Sequence, residues 1–113
     1  MINDSEIQLM VGRLQYSEID YTIESSLSYC QKGVTNLGVT WEEVLSCSRK
    51  RRIVDARRLC CSYLRNKGWT YDMIANYIGY QNHATVLHHC RRAEELLNFD
   101  DEYQRKQLKF QGQ

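Results

Sequence analysis

The stretch "YDMIANYIGYQNHATVLHHCRR", residues 71–92, contains two segments of helical periodicity separated by only a few residues. The first segment places apolar residues at helical spacing and closes at Gly79, a residue suited to a left-handed cap. The second segment begins at Asn82, a residue type that favours a helix N-cap. Two helices joined by a glycine-containing turn of about three residues are typical of a helix-turn-helix unit.

The rest of the chain also favours helices, because it contains no proline and none of the β-branched or aromatic runs that a sheet needs. Thr40 and Glu43 have the spacing of a capping box ahead of a short helix that ends near Ser46. We further predict helices over residues 7–14, from 19 to a cap near Gly33, over 50–66 up to Gly68, and a marginal helix or tail over 100–109.

These segments predict an all-α fold, a helical bundle of one domain spanning residues 1–113. We divide it into acidic N-terminal helices (1–34), a helix-turn-helix region (35–97) and a C-terminal helix or tail (98–113). Apolar spacing places Arg57, Arg58 and Arg65 away from the core face of the helix over 50–66. In the second helix of the unit, the residues expected to face the core are Val86, Leu87, Cys90 and Leu97.

Charge is distributed unevenly along the chain, although the net charge is only +1. Residues 49–92 contain ten Lys or Arg and two Asp, a balance of +8, whereas residues 1–48 carry −5 and residues 93–113 carry −2. A basic middle between acidic ends favours a surface that binds a polyanion.

The start of the second helix carries side chains suited to reading bases in the major groove of duplex DNA. Asn82 can pair with adenine, His83 can donate to guanine, and Ala84 or the methyl group of Thr85 can touch a thymine methyl. Further along, His88, Arg91 and Arg92 fall on outward positions where they could meet phosphates.

At these residues the chain resembles a known family. "SRKRRIVDARRLCCSYL", "IANYIG" and "NHATVLHHCRR" are similar to the C-terminal DNA-binding domain of the bacterial replication initiator DnaA, and the resemblance covers residues 20–97. It implies an all-helical domain that recognises a short duplex element. The fold would also be close to that of the Trp repressor.

The resemblance also implies roles for individual residues. Bases would be read in the major groove by His83 and its neighbours, and in the minor groove by Lys50. Phosphates would be bound by Tyr71 at the start of the first helix of the unit and by five further residues, Arg52, Arg58, Thr85, His88 and Arg92. Independently of the resemblance, charge and position add Arg49, Arg51 and Arg91 to the predicted phosphate-binding residues.

The family's signature, Asp-His-Thr-Thr-Val-Leu-His-Ala, differs here at its first, third and last residues, which are Asn82, Ala84 and His89. Tyr80 and Gln81 stand in place of the Gly-Arg that precedes it. Because Asp accepts from cytosine whereas Asn pairs with adenine, we expect a target other than the family's standard site. The sequence has no G-x-x-x-x-G-K-[ST] motif, so we expect no nucleotide cofactor. Because a short DnaA-like domain without an ATPase is typical of phages and mobile elements, we expect the gene to come from one of these.

Other functions were weighed against DNA binding. The His and Cys residues around Cys90 lack the paired spacing of a zinc site, and no carboxylate is placed to orient a Cys–His pair for catalysis. We therefore expect no metal and no enzymatic activity. Trp41 and Trp69 favour packing over stacking on single strands. A protein-interaction module on the same scaffold remains the alternative, with the acidic N-terminal helices binding a partner or a second copy.

The sequence has no apolar run long enough to span a membrane, and the start "MINDSEIQLM" does not resemble a secretory signal. An odd number of cysteines favours reduced thiols. We therefore expect a cytoplasmic protein whose partner is double-stranded DNA and not a membrane.

Overall fold

The structure is a computed structural model that describes residues 16–112, with side chains from residue 23 onward. This part of the chain is helical and contains no strand, so the predicted all-α class is confirmed. The predicted helix over 7–14 lies outside the described residues. In chain order the helices are α1 (Tyr16–Asn36), α2 (Trp41–Leu45), α3 (Arg51–Asn66), α4 (Tyr71–Ile78), α5 (His83–Phe99) and α6 (Asp101–Phe110).

The capping signals predicted the starts and ends of most helices. At α2, Thr40 Oγ1 accepts from the Glu43 N–H at 3.1 Å, and Glu43 Oε1 accepts from the Thr40 N–H at 3.0 Å. This reciprocal pair is the predicted capping box, and the helix stops at Leu45, directly before Ser46. The hydrogen bond from the Thr40 backbone N–H also stabilises the charged carboxylate and thereby lowers the pKa of Glu43.

The end of α1 corrects the sequence prediction. Gly33 does not cap the helix: α1 continues to Asn36, and Gly38, with φ of 75°, takes the left-handed position. Gly33 is buried, and a Cβ at this position would overlap the ring of Phe110. The glycine is therefore required for close packing between α1 and α6, and not for a turn.

Helix α3 lies at the centre and contacts each of the other five helices described here. Its predicted apolar face is buried, with Ile53, Ala56 and Cys60 at 2% exposure or less. Arg57 was predicted to lie away from this face, and that was wrong: the residue is 6% exposed. Its guanidinium is buried because it binds backbone carbonyls of the segment that joins α2 to α3.

The buried face of α5 is broader than predicted. Val86 is fully buried, but Leu87, Cys90 and Leu97 are only half-buried. The centre of the face is shared with residues that periodicity did not select, namely His89, Ala93 and Leu96. The shift arises because α5 packs against α3, α4 and α6 together, so more than one stripe of the helix is covered.

The C-terminal segment is a packed helix in the described structure. Asp100 caps α6 by accepting from the Tyr103 N–H at 3.1 Å, and Tyr103 and Phe110 are almost fully buried. Helix α6 packs against α1, α3 and α5. The domain boundaries at residues 34 and 97 stay predictions, although α1 and α6 contribute to the same hydrophobic core as the helices between them. Within residues 16–112, no helix combines the length and apolar character needed to cross a bilayer.

Candidate nucleic-acid interface

Helices α4 and α5 form the predicted helix-turn-helix. Thr70 caps α4 by accepting from the Met73 N–H at 3.2 Å, and Gly79 ends it with φ of 90°. Asn82 then caps α5, its Oδ1 accepting from the Ala84 N–H at 2.8 Å. The predicted cap at Asn82 and the predicted stop at Gly79 are confirmed.

The first turn of α5 faces outward. Asn82, His83 and Ala84 are exposed, and Thr85 is half-buried. The cap does not exhaust the hydrogen-bonding capacity of Asn82, since its carbonyl oxygen has a second lone pair and its amide group two N–H donors. The four residues predicted to read bases in the major groove therefore lie together at one end of one helix.

His83 has a neighbour on α4 that the sequence did not reveal. Its Nδ1 lies 3.2 Å from Oδ1 of Asp72, which is in the first turn of α4. Both side chains remain more than half exposed, at 58% and 59%. The contact joins the two helices at the surface that the start of α5 presents.

The turn between α4 and α5 contacts the buried side of α5. The hydroxyl of Tyr80 lies 3.0 Å from Nε2 of His89, which is buried at 9% exposure. Burial lowers the pKa of His89 to about 4, with a further contribution from the positive charge of Arg58. Burial likewise raises the pKa of Tyr80. Tyr80 and His89 both differ from the family's residues at these positions, and here their side chains contact each other.

Four of the arginines predicted to bind phosphate come together in one groove. The groove has a volume of about 280 Å³ and lies between the start of α3 and the outer side of α5. We call it the arginine groove; its lining residues are Arg49, Arg51, Val54, Arg58, Arg92 and Leu96. Four guanidinium groups gathered in one concave surface are what we expect of a site that binds a polyanion such as a nucleic-acid backbone.

Acidic side chains hold several of these guanidinium groups in place. Asp55 is 2% exposed and accepts from Arg58 Nη1 at 3.1 Å, and its other oxygen accepts from Lys106 Nζ at 2.7 Å. On the surface, Arg92 Nη1 donates to Glu95 Oε2 at 2.9 Å. Because exposed ion pairs contribute at most about 1 kcal/mol, a phosphate can compete for Arg92 more readily than for Arg58.

A second groove lies along α5 and has a volume of about 330 Å³. Its lining includes Tyr71 and Arg91, two predicted phosphate-binding residues, together with Arg65, which was not predicted to have a role. The Arg65 guanidinium lies 4.5 Å from the ring centroid of Tyr71 and also donates to the Trp69 carbonyl at 2.9 Å. We call this the Tyr71 groove. It shares α5 with the arginine groove.

The remaining predicted residues lie outside both grooves. Lys50 is the exposed N-cap residue of α3, and His88 is exposed on α5. Arg52 is directed toward α2, where its Nη2 donates to Glu43 Oε2 at 2.8 Å. The structure therefore gathers six of the nine predicted phosphate-binding residues into two grooves and leaves Arg52, Thr85 and His88 outside them.

The segment that carries the basic start of α3 is held by a residue whose role the sequence did not reveal. Arg57 Nε donates to the Val44 carbonyl at 2.7 Å, and Nη1 donates to the Ser48 carbonyl at 2.5 Å. Its Nη2 donates to the carbonyls of Glu43 and Ser46. One buried guanidinium thus fixes four carbonyls immediately before Arg49 and Lys50.

The cysteines differ in exposure: Cys30 is buried, whereas Cys47 is exposed. Cys60 and Cys61 are fully buried, and Cys90 is half-buried. The pKa of the Cys60 thiol is raised by its contact with Cys30 and by burial, and burial raises the pKa of Cys61. A neutral thiol is a poor nucleophile. In the part of the chain that the structure describes, no three His, Cys, Asp or Glu side chains are grouped closely enough to hold a metal ion.

Comparison with known proteins agrees with this geometry. Residues 33–93 match the family described as the bacterial dnaA protein helix-turn-helix. The chain is similar to two proteins named chromosomal replication initiator protein DnaA. One, from Flavobacterium psychrophilum, is 37% identical over 86 residues, which are 73% of this chain and 18% of the relative. The other, from Bacteroides thetaiotaomicron, is 36% identical over 58 residues, which are 50% of this chain and 12% of the relative.

The chain therefore spans less than a fifth of the length of these curated relatives. No solved structure matches it. The family match contains α2, α3, α4 and most of α5, that is, both helices of the helix-turn-helix and the basic start of α3. Since this match covers more than half of the chain, the protein belongs to the family of DnaA helix-turn-helix domains, which bind DNA.

Proposed function

We propose that this protein reads a specific sequence in double-stranded DNA by placing the start of α5 in the major groove. The observation that supports this most directly is that α5 presents its exposed first turn while forming part of two cationic grooves. Base contacts would come from Asn82, His83, Ala84 and Thr85, and a minor-groove contact from Lys50.

Phosphate binding on both sides of α5 would set the orientation of the protein on the duplex. The arginine groove would bind one backbone through Arg49, Arg51, Arg58 and Arg92. The Tyr71 groove would bind the other through Tyr71, Arg65 and Arg91. Such an arrangement acts by occupying DNA, which suits a role in controlling replication or transcription and requires no chemical step.

Selection from a pool of randomised duplexes tests this function, because it measures binding and sequence preference together. We expect a short enriched motif. Titration with salt should then show the release of counterions by about five to eight phosphate contacts, which corresponds to a log–log slope of roughly −4 to −7. Absence of binding to any duplex at low salt would contradict the proposal and favour a protein-interaction module on the same scaffold.

A further inference from the structure

The side chains of His83 and Asp72 meet where the two helices of the helix-turn-helix begin. His83 is the first residue of α5, and Asp72 lies in the first turn of α4. The 3.2 Å contact joins Nδ1 of the imidazole to a carboxylate oxygen and leaves more than half of each side chain exposed. One ring nitrogen is therefore occupied by an acidic neighbour, while the ring still faces solvent.

A carboxylate next to one ring nitrogen affects where a neutral imidazole carries its proton. Neutral histidine has one N–H donor and one acceptor nitrogen, and the partner of one nitrogen decides the role of the other. A negatively charged oxygen next to Nδ1 stabilises a proton there, which leaves Nε2 with its lone pair. Asp72 supplies such an oxygen from the first turn of α4, 3.2 Å from Nδ1 of His83.

We propose that Asp72 determines the base specificity of His83 by keeping the proton of the neutral ring on Nδ1. Nε2 then accepts a hydrogen bond from an exocyclic amino group in the major groove, either N6 of adenine or N4 of cytosine. This inference rests on the proposed function, since it concerns the base that the start of α5 reads. It reverses the expectation from sequence that His83 donates to guanine.

Without the carboxylate the preference would be different. A free imidazole in water carries its proton mainly on Nε2, and in that form the outward nitrogen is a donor. A donor would favour the N7 and O6 acceptors of guanine or the O4 acceptor of thymine. Asp72 would therefore be a positioning residue on the first helix that selects between two classes of base through the second helix.

Nitrogen NMR of the DNA-free protein tests the position of the proton. Spectra of the imidazole of His83 should be recorded at pH 8, above the range in which imidazole usually takes up a proton. In the unsubstituted protein we expect Nδ1 to be the protonated nitrogen. Asp72→Asn should shift the ring toward protonated Nε2, because an amide can either donate to or accept from Nδ1. Asp101→Asn removes the same charge from the first turn of α6 and should leave the spectrum unchanged.

Selection from randomised duplexes with the same three proteins, and with Asp72→Glu as a fourth, tests the consequence. We expect the unsubstituted protein and Asp101→Asn to prefer adenine or cytosine at one position of the motif, by roughly five- to 100-fold. Asp72→Asn should lose that preference at this position alone and should gain guanine or thymine. Asp72→Glu, which keeps the carboxylate, should recover it at least in part.

Two outcomes would overturn the inference while leaving the proposed function intact. One is a base preference that Asp72→Asn does not alter, accompanied by tighter binding to every duplex, which would make Asp72 only a source of repulsion toward phosphates. The other is a ring already protonated on Nε2 in the unsubstituted protein. If none of the proteins bound any duplex, the proposed function and the base specificity derived from it would both fail, whatever the position of the proton.

Discussion

His83 allows base reading to be separated from phosphate binding by one substitution. It is the first residue of α5 and its side chain is 58% exposed, so we expect its truncation to leave the core undisturbed. We predict that His83→Ala lowers affinity for the selected motif by about 1–3 kcal/mol and leaves affinity for random duplex nearly unchanged. Fluorescence anisotropy with both duplexes would measure this. An equal loss on both would remove His83 from the base-reading residues.

Arg92 tests the arginine groove. Its guanidinium lines the groove, and its ion pair with Glu95 is exposed and therefore weak, so a phosphate can displace Glu95. We predict that Arg92→Ala weakens binding to all duplexes alike and flattens the salt slope by about one unit.

Arg105, which is exposed on α6 and lies outside both grooves, provides a matched control. Arg105→Ala removes the same charge and should leave the slope as it is. Equal slopes for Arg92→Ala and the unsubstituted protein would show that Arg92 contacts no phosphate. An equal flattening in both variants would point to net charge and not to the groove.

At the level of the elements, Gly33 allows α1 and α6 to pack closely, because it leaves room for the ring of Phe110. In an exposed helix Gly→Ala is stabilising by roughly 0.5–1 kcal/mol, but at Gly33 the added methyl would overlap the ring of Phe110. We therefore predict that Gly33→Ala destabilises the protein by about 1–3 kcal/mol, measured by urea unfolding. Combining it with Phe110→Leu, which makes room, should recover part of the loss. A stabilised Gly33→Ala variant would show that α6 does not pack against α1 at this point.

The connection between α2 and α3 depends on Arg57. Lysine keeps the positive charge but cannot reproduce the fork that binds four carbonyls, so several acceptors would lose their donors. We predict that Arg57→Lys costs about 2–4 kcal/mol of unfolding free energy, because groups left unpaired on burial are expensive. Arg105→Lys, the same substitution on an exposed helix position, should cost little. Similar small effects at both positions would contradict the role assigned to Arg57.

How well each helix could be predicted depended on whether its signals were local. Thr40, Asn82 and Gly79 act through hydrogen bonds or backbone angles within their own turn, so the sequence was sufficient to place them. Gly33 was misassigned because its requirement comes from Phe110, 77 positions along the chain. Helix α6 was underestimated for a similar reason: it carries few apolar residues, and its stability depends on burying Tyr103 and Phe110 against distant helices.

The candidate site shows the same division. Exposure of the first turn of α5 follows from its position and from its polar residues, and it was predicted. The acidic partners of the site could not be predicted, because Asp72 and Asp55 reach their partners through the packing of separate helices or through burial. The spacing of apolar residues predicted that Arg57 and Arg58 both lie outside the core. In the structure Arg57 is buried, where it donates to backbone carbonyls, and Arg58 lines the arginine groove.

Over the whole molecule, the interface is coupled to the core through His89. This ring lies behind the exposed face of α5 and contacts the turn residue Tyr80. Burial lowers the pKa of His89 to about 4 in the folded protein, whereas in the unfolded chain the imidazole is protonated with a pKa near 6.5. Protonation of His89 below pH 6.5 therefore favours the unfolded chain. The contribution of His89 to stability is therefore complete above about pH 6.5 and is lost progressively as the pH falls toward 4.

We predict that this loss amounts to about 2 kcal/mol between pH 7.5 and pH 5, measured as the change in unfolding free energy in urea. His89→Gln keeps a hydrogen-bonding group near Tyr80 but cannot titrate, so its change over this range should be smaller by that amount. His88→Gln removes an exposed imidazole from the neighbouring position and should change the pH dependence far less than His89→Gln does. If His89→Gln retained the full pH dependence, the buried ring would not be its source, and other titrating groups would have to account for it.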